Sequence, residues 1–137
     1  MLIPGPIWEA VMAHARYCAP EECCGLIAAD AQGAIRFAYP LTNSYHSPVR
    51  FNIEPAEMFG ALRHAESNGW DLAGAFHSHP RGPAYPSPTD QAEAGEPSWL
   101  YLVASLQPPE LRGFTLSGTE PTEVALEMNE GFSRSEP

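Results

Sequence analysis

Four of the nine residues from Pro80 to Pro88 are proline, so this stretch can be neither a helix nor a central strand. It follows Leu72 to Phe76, a run of small apolar residues of the kind that forms a strand buried on both faces. A proline-rich loop loses little entropy on ordering. The chain must therefore leave its core here and fix whatever follows rigidly in place.

The remaining elements are read from periodicity and turn chemistry. From Pro6 to Tyr17, Trp8, Val11, Met12 and Ala15 recur at helical spacing, with Pro6 suited to the first turn. Cys24 to Ala29 and Ala34 to Tyr39 read as a hairpin turned by Asp30, Gln32 and Gly33. Val49 to Ile53 reads as a third strand. Glu54-Pro55-Ala56-Glu57 opens a second helix, whose inner stripe is Met58, Ala61, Leu62 and Ala65 and which ends at Asn68-Gly69. A short helix is expected over Thr89 to Ala94, and strands over Trp99 to Ala104, Leu111 to Leu116 and Val124 to Met128. This order argues for an α/β protein, a mixed β-sheet sandwiched by helices. The 137 residues suit one domain, expected over 1–128, with 129–137 as a flexible polar tail.

Composition excludes several classes. Hydrophobic residues at 44% and charged residues at 18% describe a globular chain rather than a disordered one. No run approaches the roughly 18 apolar residues that cross a bilayer, and no basic-then-apolar leader opens the sequence. A net charge of −10 disfavours phosphate backbones and anionic membranes, so neither nucleic acid nor membrane is an expected partner. Three cysteines, Cys18, Cys23 and Cys24, make a poor disulfide framework and fit a reducing cytoplasm. Nothing in the sequence specifies an oligomeric state.

The chemistry lies in His77-Ser78-His79-Pro80, six residues, then Ser87-Pro88-Thr89-Asp90. Residues two apart on a strand share a face, so both imidazoles can reach one ion. The rigid loop can return Asp90 to the same spot. Two histidines and one carboxylate leave a fourth position for water, the pattern of one catalytic Zn2+ per chain. Hydrolysis also needs a base, and Glu21 and Glu22 stand at the mouth of the strand beginning at Cys24. Ser87, one turn before Asp90, offers a hydroxyl donor for an oxyanion.

Glu22-Cys23-Cys24-Gly25-Leu26 followed by H-S-H-P-x6-S-x2-D resembles the JAMM (MPN+) metalloprotease family, over roughly residues 6–118. The family is built on a sandwich similar to that of the zinc deaminases and cleaves peptide or isopeptide bonds beside ubiquitin or ubiquitin-like proteins. The resemblance implies that Glu22 is the general base and acid, with Glu21 a solvated neighbour. It also implies that His77, His79 and Asp90 are zinc ligands and that Ser87 assists the oxyanion. The chain is too short for the insertions with which eukaryotic members grip ubiquitin chains. It is more similar to compact bacterial members linked to ubiquitin-like sulfur-carrier proteins, which release an amino acid, often cysteine, from the carrier's terminal glycine.

Three rival readings follow from the same residues. One is a metal-free MPN-type interaction scaffold, against which the intact ligand set argues. Another is a DNA-repair-linked JAMM branch with an H-x-H-P-x-G stretch, partly matched by Arg81-Gly82, against which the acidity argues. A zinc deaminase would need a Pro-Cys-x-x-Cys segment, which is absent. His14, His46 and His64 lie in no ligand pattern and read as surface or packed residues. If Cys23 and Cys24 lie on a strand they point to opposite faces, with one in the core and neither on zinc.

Overall fold

A computed structural model of the chain describes residues 1–129. Pro6 lies in the first turn of helix α1 (Gly5–Cys18), which buries Ile7, Val11, Met12 and Ala15. The hairpin forms as expected from strands β2 (Cys24–Ala29) and β3 (Ile35–Leu41), numbered after a short strand β1 (Leu2–Pro4). Gly33, with φ +83°, takes up the left-handed turn position between β2 and β3. Helix α2 (Pro55–Ser67) is capped by the Glu54 carboxylate, which accepts from the Glu57 N–H at 3.0 Å.

Strand β4 (Asp71–His79) carries the first two candidate ligands at its end. After the proline loop come helix α3 (Pro88–Glu93) and strands β5 (Leu100–Leu106), β6 (Pro109–Thr115), β7 (Thr122–Val124) and β8 (Glu127–Asn129). Six strands form one sheet in the order β3-β2-β4-β5-β6-β7, while β1 and β8 pair separately and in parallel. Within the six-stranded sheet only β4 and β5 run parallel. A parallel pair cannot be joined by a tight turn, so the loop and α3 supply its crossover.

Helices cover both faces. Ile3, Val11, Ile27, Phe76 and Leu102 pack on the α1 side, and Leu26, Ala28, Tyr39, Ala61 and Ala65 on the α2 side. Every residue of β2 is therefore buried. Gly25 is required at the centre, because a Cβ there would run into the Phe76 ring and the Tyr39 carbonyl. This is the expected mixed sheet between helices.

The structure departs from expectation in four places. Val49 to Ile53 is not a strand; only Ile53 bridges to Asn43. The buried Asn43 side chain accepts from the N–H groups of Tyr45 and Asn52 and donates to the carbonyls of Glu22, Ser47 and Arg50. Backbone groups of this loop are thus satisfied by one amide rather than by a neighbouring strand. The expected strand over Val124 to Met128 is divided, because the chain leaves the large sheet after Val124 and rejoins β1 at Glu127. Cys23 and Cys24 are both fully buried: Cys24 opens β2, which has no solvent face, and Cys23 just before it packs in the core on the α1 side. Of the expected tail, Asn129 ends β8 beside Pro4, and the rest lies outside the described residues.

Candidate functional site

His77 and His79 point to the same face of β4, the face covered by α2, and their Nε2 atoms stand 3.1 Å apart. β4 continues to His79 because β5 pairs along its whole end, His77 with Val103 and His79 with Ser105. Pro80 then turns the chain, and the Gly82 N–H closes the turn on the His79 carbonyl at 3.3 Å. His79 Nδ1 lies 2.9 Å from the Pro83 carbonyl. A carbonyl only accepts, so Nδ1 carries the hydrogen. In the neutral ring Nε2 then presents its lone pair to the site.

Asp90 arrives on α3. Ser87 is the N-cap: its Oγ accepts from the Asp90 N–H at 3.0 Å, and Asp90 Oδ2 accepts from the Ser87 N–H at 2.8 Å. This reciprocal capping box fixes the Asp90 rotamer. The same Oδ2 lies 2.9 Å from His77 Nε2 and 3.2 Å from His79 Nε2. Ligand atoms around a tetrahedral ion, with bonds of roughly 2.0–2.1 Å, stand about 3.3 Å apart. Two imidazole nitrogens and a carboxylate oxygen at these separations fit a metal ion, and without a cation or added protons their lone pairs would oppose one another.

Glu22 is brought in by sheet register. β2 runs antiparallel to β4 with Cys24 opposite His77, so Glu22, two residues upstream of Cys24, lies on the histidine face. Its backbone is held on both sides. The Glu22 N–H donates to the Ser47 carbonyl at 2.9 Å, and the Glu22 carbonyl accepts from Asn43 Nδ2 at 3.1 Å. The next residue, Cys23, donates its N–H to the buried Ser78 Oγ at 2.8 Å. Glu22 Oε2 reaches within 3.9 Å of His79 Nε2, and Oε1 is buried with no partner. Glu21 turns outward and meets the exposed His46 at 3.3 Å.

Glu22, His77 and His79 offer ligand atoms all within 4.8 Å of one another, a candidate metal site. Asp90 Oδ2 lies closer to the histidines than Glu22 does, which puts Asp90 in the better position for a third ligand. Burial pushes the Glu22 carboxyl up to about 7, and the Asp90 charge adds to the effect against the pull of His79. Burial also lowers His77. For His79 burial acts in the same direction but is outweighed by Asp90, the Pro83 carbonyl and Glu22, so the net shift is upward. Desolvation works against the Asp90 carboxylate, yet contacts with His77, His79 and the Ser87 N–H hold it well below the usual range.

All five residues singled out by sequence meet at this one place. Sequence reasoning missed their supports: Ser78, Asn43, the Pro83 carbonyl and Phe51, whose ring stacks on His77 at 4.6 Å and 23°. A buried serine between two histidines was a signal for the first; the others arise from tertiary contacts alone. Beside His77 and Asp90 opens an apolar cleft of about 170 Å³, walled by Phe51, Met58, Ala75, Trp99, Tyr101 and Val103. His14 and His64 stand away from the site, in contact with the Leu41 carbonyl and the Tyr39 hydroxyl. No helix among the described residues is long and apolar enough to cross a membrane.

Comparison with known proteins agrees with this geometry. Residues 4–117 match the family described as prokaryotic homologs of the JAB domain. A desampylase of Haloferax volcanii is 35% identical over 103 residues, covering 71% of this chain and 74% of the relative. A CysO-cysteine peptidase of Mycobacterium tuberculosis is 31% identical over 137 residues, covering 96% and 93%. The solution structure of a Desulfitobacterium hafniense protein superposes with a TM-score of 0.85 at 35% identity, covering 95% of this chain and 94% of the other.

Proposed function

Because the chain belongs to the prokaryotic JAB-domain family, we propose that it is a zinc-dependent hydrolase of the amide bond after the C-terminal glycine of a ubiquitin-like sulfur-carrier protein. The observation that carries this reading is the meeting of His77 Nε2, His79 Nε2 and Asp90 Oδ2 within 3.2 Å, with the Glu22 carboxylate beside them, its Oε1 buried without a partner. Two relatives bearing the names desampylase and CysO-cysteine peptidase support the substrate class.

His77, His79 and Asp90 would hold the ion. Zinc supplies, when bound, a Lewis acid that polarises a carbonyl and eases the ionisation of water. Glu22 takes a proton from the attacking water, since its buried carboxyl is poised near neutrality. It then returns that proton to the departing amine. The Ser87 hydroxyl spends its lone pair on the Asp90 N–H, which leaves its hydrogen available to an oxyanion. The apolar cleft beside His77 receives the residues that precede the glycine. With a charge of −10, docking rests on that tail and on apolar contact rather than on steering of an acidic carrier.

The test is incubation with carriers extended by one residue beyond a terminal Gly-Gly, followed by mass spectrometry. Wild type removes the added residue; Glu22→Ala and His79→Ala do not. Equal turnover by those variants overturns the assignment.

A further inference from the structure

The base and one wall of the apolar cleft are tied together by a single buried amide, Asn43. No bond of the β2–β4 ladder reaches Glu22 among the described residues: the last register pair is Cys24 with His77, and beyond it the Ser78 N–H meets the Cys23 carbonyl at 3.3 Å. Glu22 takes its backbone partners from the loop over 43–53 instead. Its N–H donates to the Ser47 carbonyl at 2.9 Å, and its own carbonyl accepts from Asn43 Nδ2 at 3.1 Å.

The contacts of Asn43 fix which way its amide faces. Oδ1 accepts from the Tyr45 and Asn52 N–H groups at 3.0 and 3.1 Å, and these can only donate. Nδ2 faces carbonyls, which can only accept: Arg50 at 2.9 Å, Glu22 at 3.1 Å and, at longer range, Ser47 at 3.4 Å. Arg50 and Asn52 are the two neighbours of Phe51, the ring that stacks on His77 and walls the apolar cleft. Asn43 thus grips Phe51 from both sides while it holds Glu22. Within the same loop His46 sits at φ +49°, a left-handed conformation that a residue with a side chain keeps only where its surroundings dictate it.

Such fixing matters because the margins are small. Glu22 Oε2 stands 3.9 Å from His79 Nε2, whereas the candidate ligand atom Asp90 Oδ2 stands at 3.2 Å. Base and ligand differ in standoff by less than an ångström, and a misplacement of about that size costs on the order of 10²-fold in rate. We infer that Asn43 is a positioning residue for the hydrolysis: it sets the standoff of the Glu22 carboxylate and the place of the Phe51 wall together, so that base and substrate cleft keep one register. This inference rests on the hydrolase reading above.

The experiment uses Asn43→Asp, which keeps the shape and the acceptor contacts but turns an oxygen toward the three carbonyls, and Asn43→Ser as a smaller second variant. Each is made in wild type and in Glu22→Gln, and cleavage of a carrier extended by one residue beyond its Gly-Gly is followed at saturating enzyme. Zinc stays close to one per chain and thermal unfolding stays cooperative, while the rate falls by about 10–100-fold. In Glu22→Gln the same substitutions lower the rate by less than about threefold, because the group they misplace has already lost its basicity. Calorimetry in that background shows carrier binding weakened by about threefold or more, the part that acts through Phe51. An unchanged rate, an equal factor in both backgrounds, undiminished carrier binding or loss of zinc overturns the role of Asn43. Hydrogen exchange on wild type serves if neither variant folds: the Tyr45 and Asn52 amides exchange slowly and at a common rate, and fast or unrelated exchange overturns the inference. Failure of wild type to cleave the carrier overturns the hydrolase reading instead.

Discussion

Ser87 and Asp90 hold each other: the serine Oγ accepts the aspartate N–H at 3.0 Å, and the aspartate Oδ2 accepts the serine N–H at 2.8 Å. The oxygen that accepts from Ser87 is also the one facing both histidines. Helix capping and metal ligation therefore share one atom. Ser87→Ala should destabilise α3 by about 1 kcal/mol and weaken zinc binding by about 10–100-fold, read by competition with a chromogenic chelator. Asparagine caps nearly as well as serine, so Ser87→Asn should recover most of the zinc affinity. If the hydroxyl also serves the oxyanion, kcat of Ser87→Asn stays low while its zinc content is normal; full recovery of both limits Ser87 to capping.

Glu22→Gln keeps the shape of the buried side chain and removes its basicity. The expected result is close to one zinc per chain with kcat lowered by about 10²–10⁴-fold, measured by elemental analysis and by the carrier assay. His79→Ala should lose the metal itself. Zinc loss in Glu22→Gln as severe as in His79→Ala would make Glu22 a ligand instead of a base.

Gly25→Ala places a methyl group against the Phe76 ring and the Tyr39 carbonyl. The strand cannot yield without disturbing its pairing with both β3 and β4, and Glu22 lies three residues upstream. Denaturant unfolding should show a loss of about 1–3 kcal/mol or more. Unchanged stability would mean that β2 is less tightly enclosed than described.

Burial pushes the Cys23 and Cys24 thiols up from the usual 9.0 to about 12. At pH 8 the native chain should resist iodoacetamide at both positions, whereas the unfolded chain alkylates at all three cysteines. A group whose folded value is raised contributes stability below its unfolded value and loses it as pH rises. Alkaline destabilisation is thus expected between about pH 9 and 12, and should weaken in a Cys24→Ala variant followed by thermal melts at several pH values.

What the sequence revealed was mostly local. His77 and His79 needed only the two-residue strand repeat, and the Ser87–Asp90 pair only the spacing of a capping box. The helices were legible from their apolar stripes and from Pro6 and Pro55. Glu22 was harder, because nothing near it in the chain says that β2 lies beside β4; the resemblance supplied what periodicity could not. Asn43 was invisible for a related reason, since its five backbone partners lie between Glu22 and Asn52 and are gathered only by folding. The loop over 49–53 was misread because β-branched and aromatic residues there serve as walls of the site, Phe51 against His77 and Val49 in an opening lined also by Glu22 and His79, instead of joining a sheet.

The pairing of Cys24 with His77 spans more than fifty residues of chain, and Asp90 joins only after the crossover to β5 is made. Closing loops of that length is slow compared with forming a helix or a hairpin. During synthesis Glu22 emerges first, the histidines follow more than fifty residues later and Asp90 last, so no local segment of the chain holds the whole site. The site is thus a property of the finished sheet, assembled from β2, β4 and α3 together.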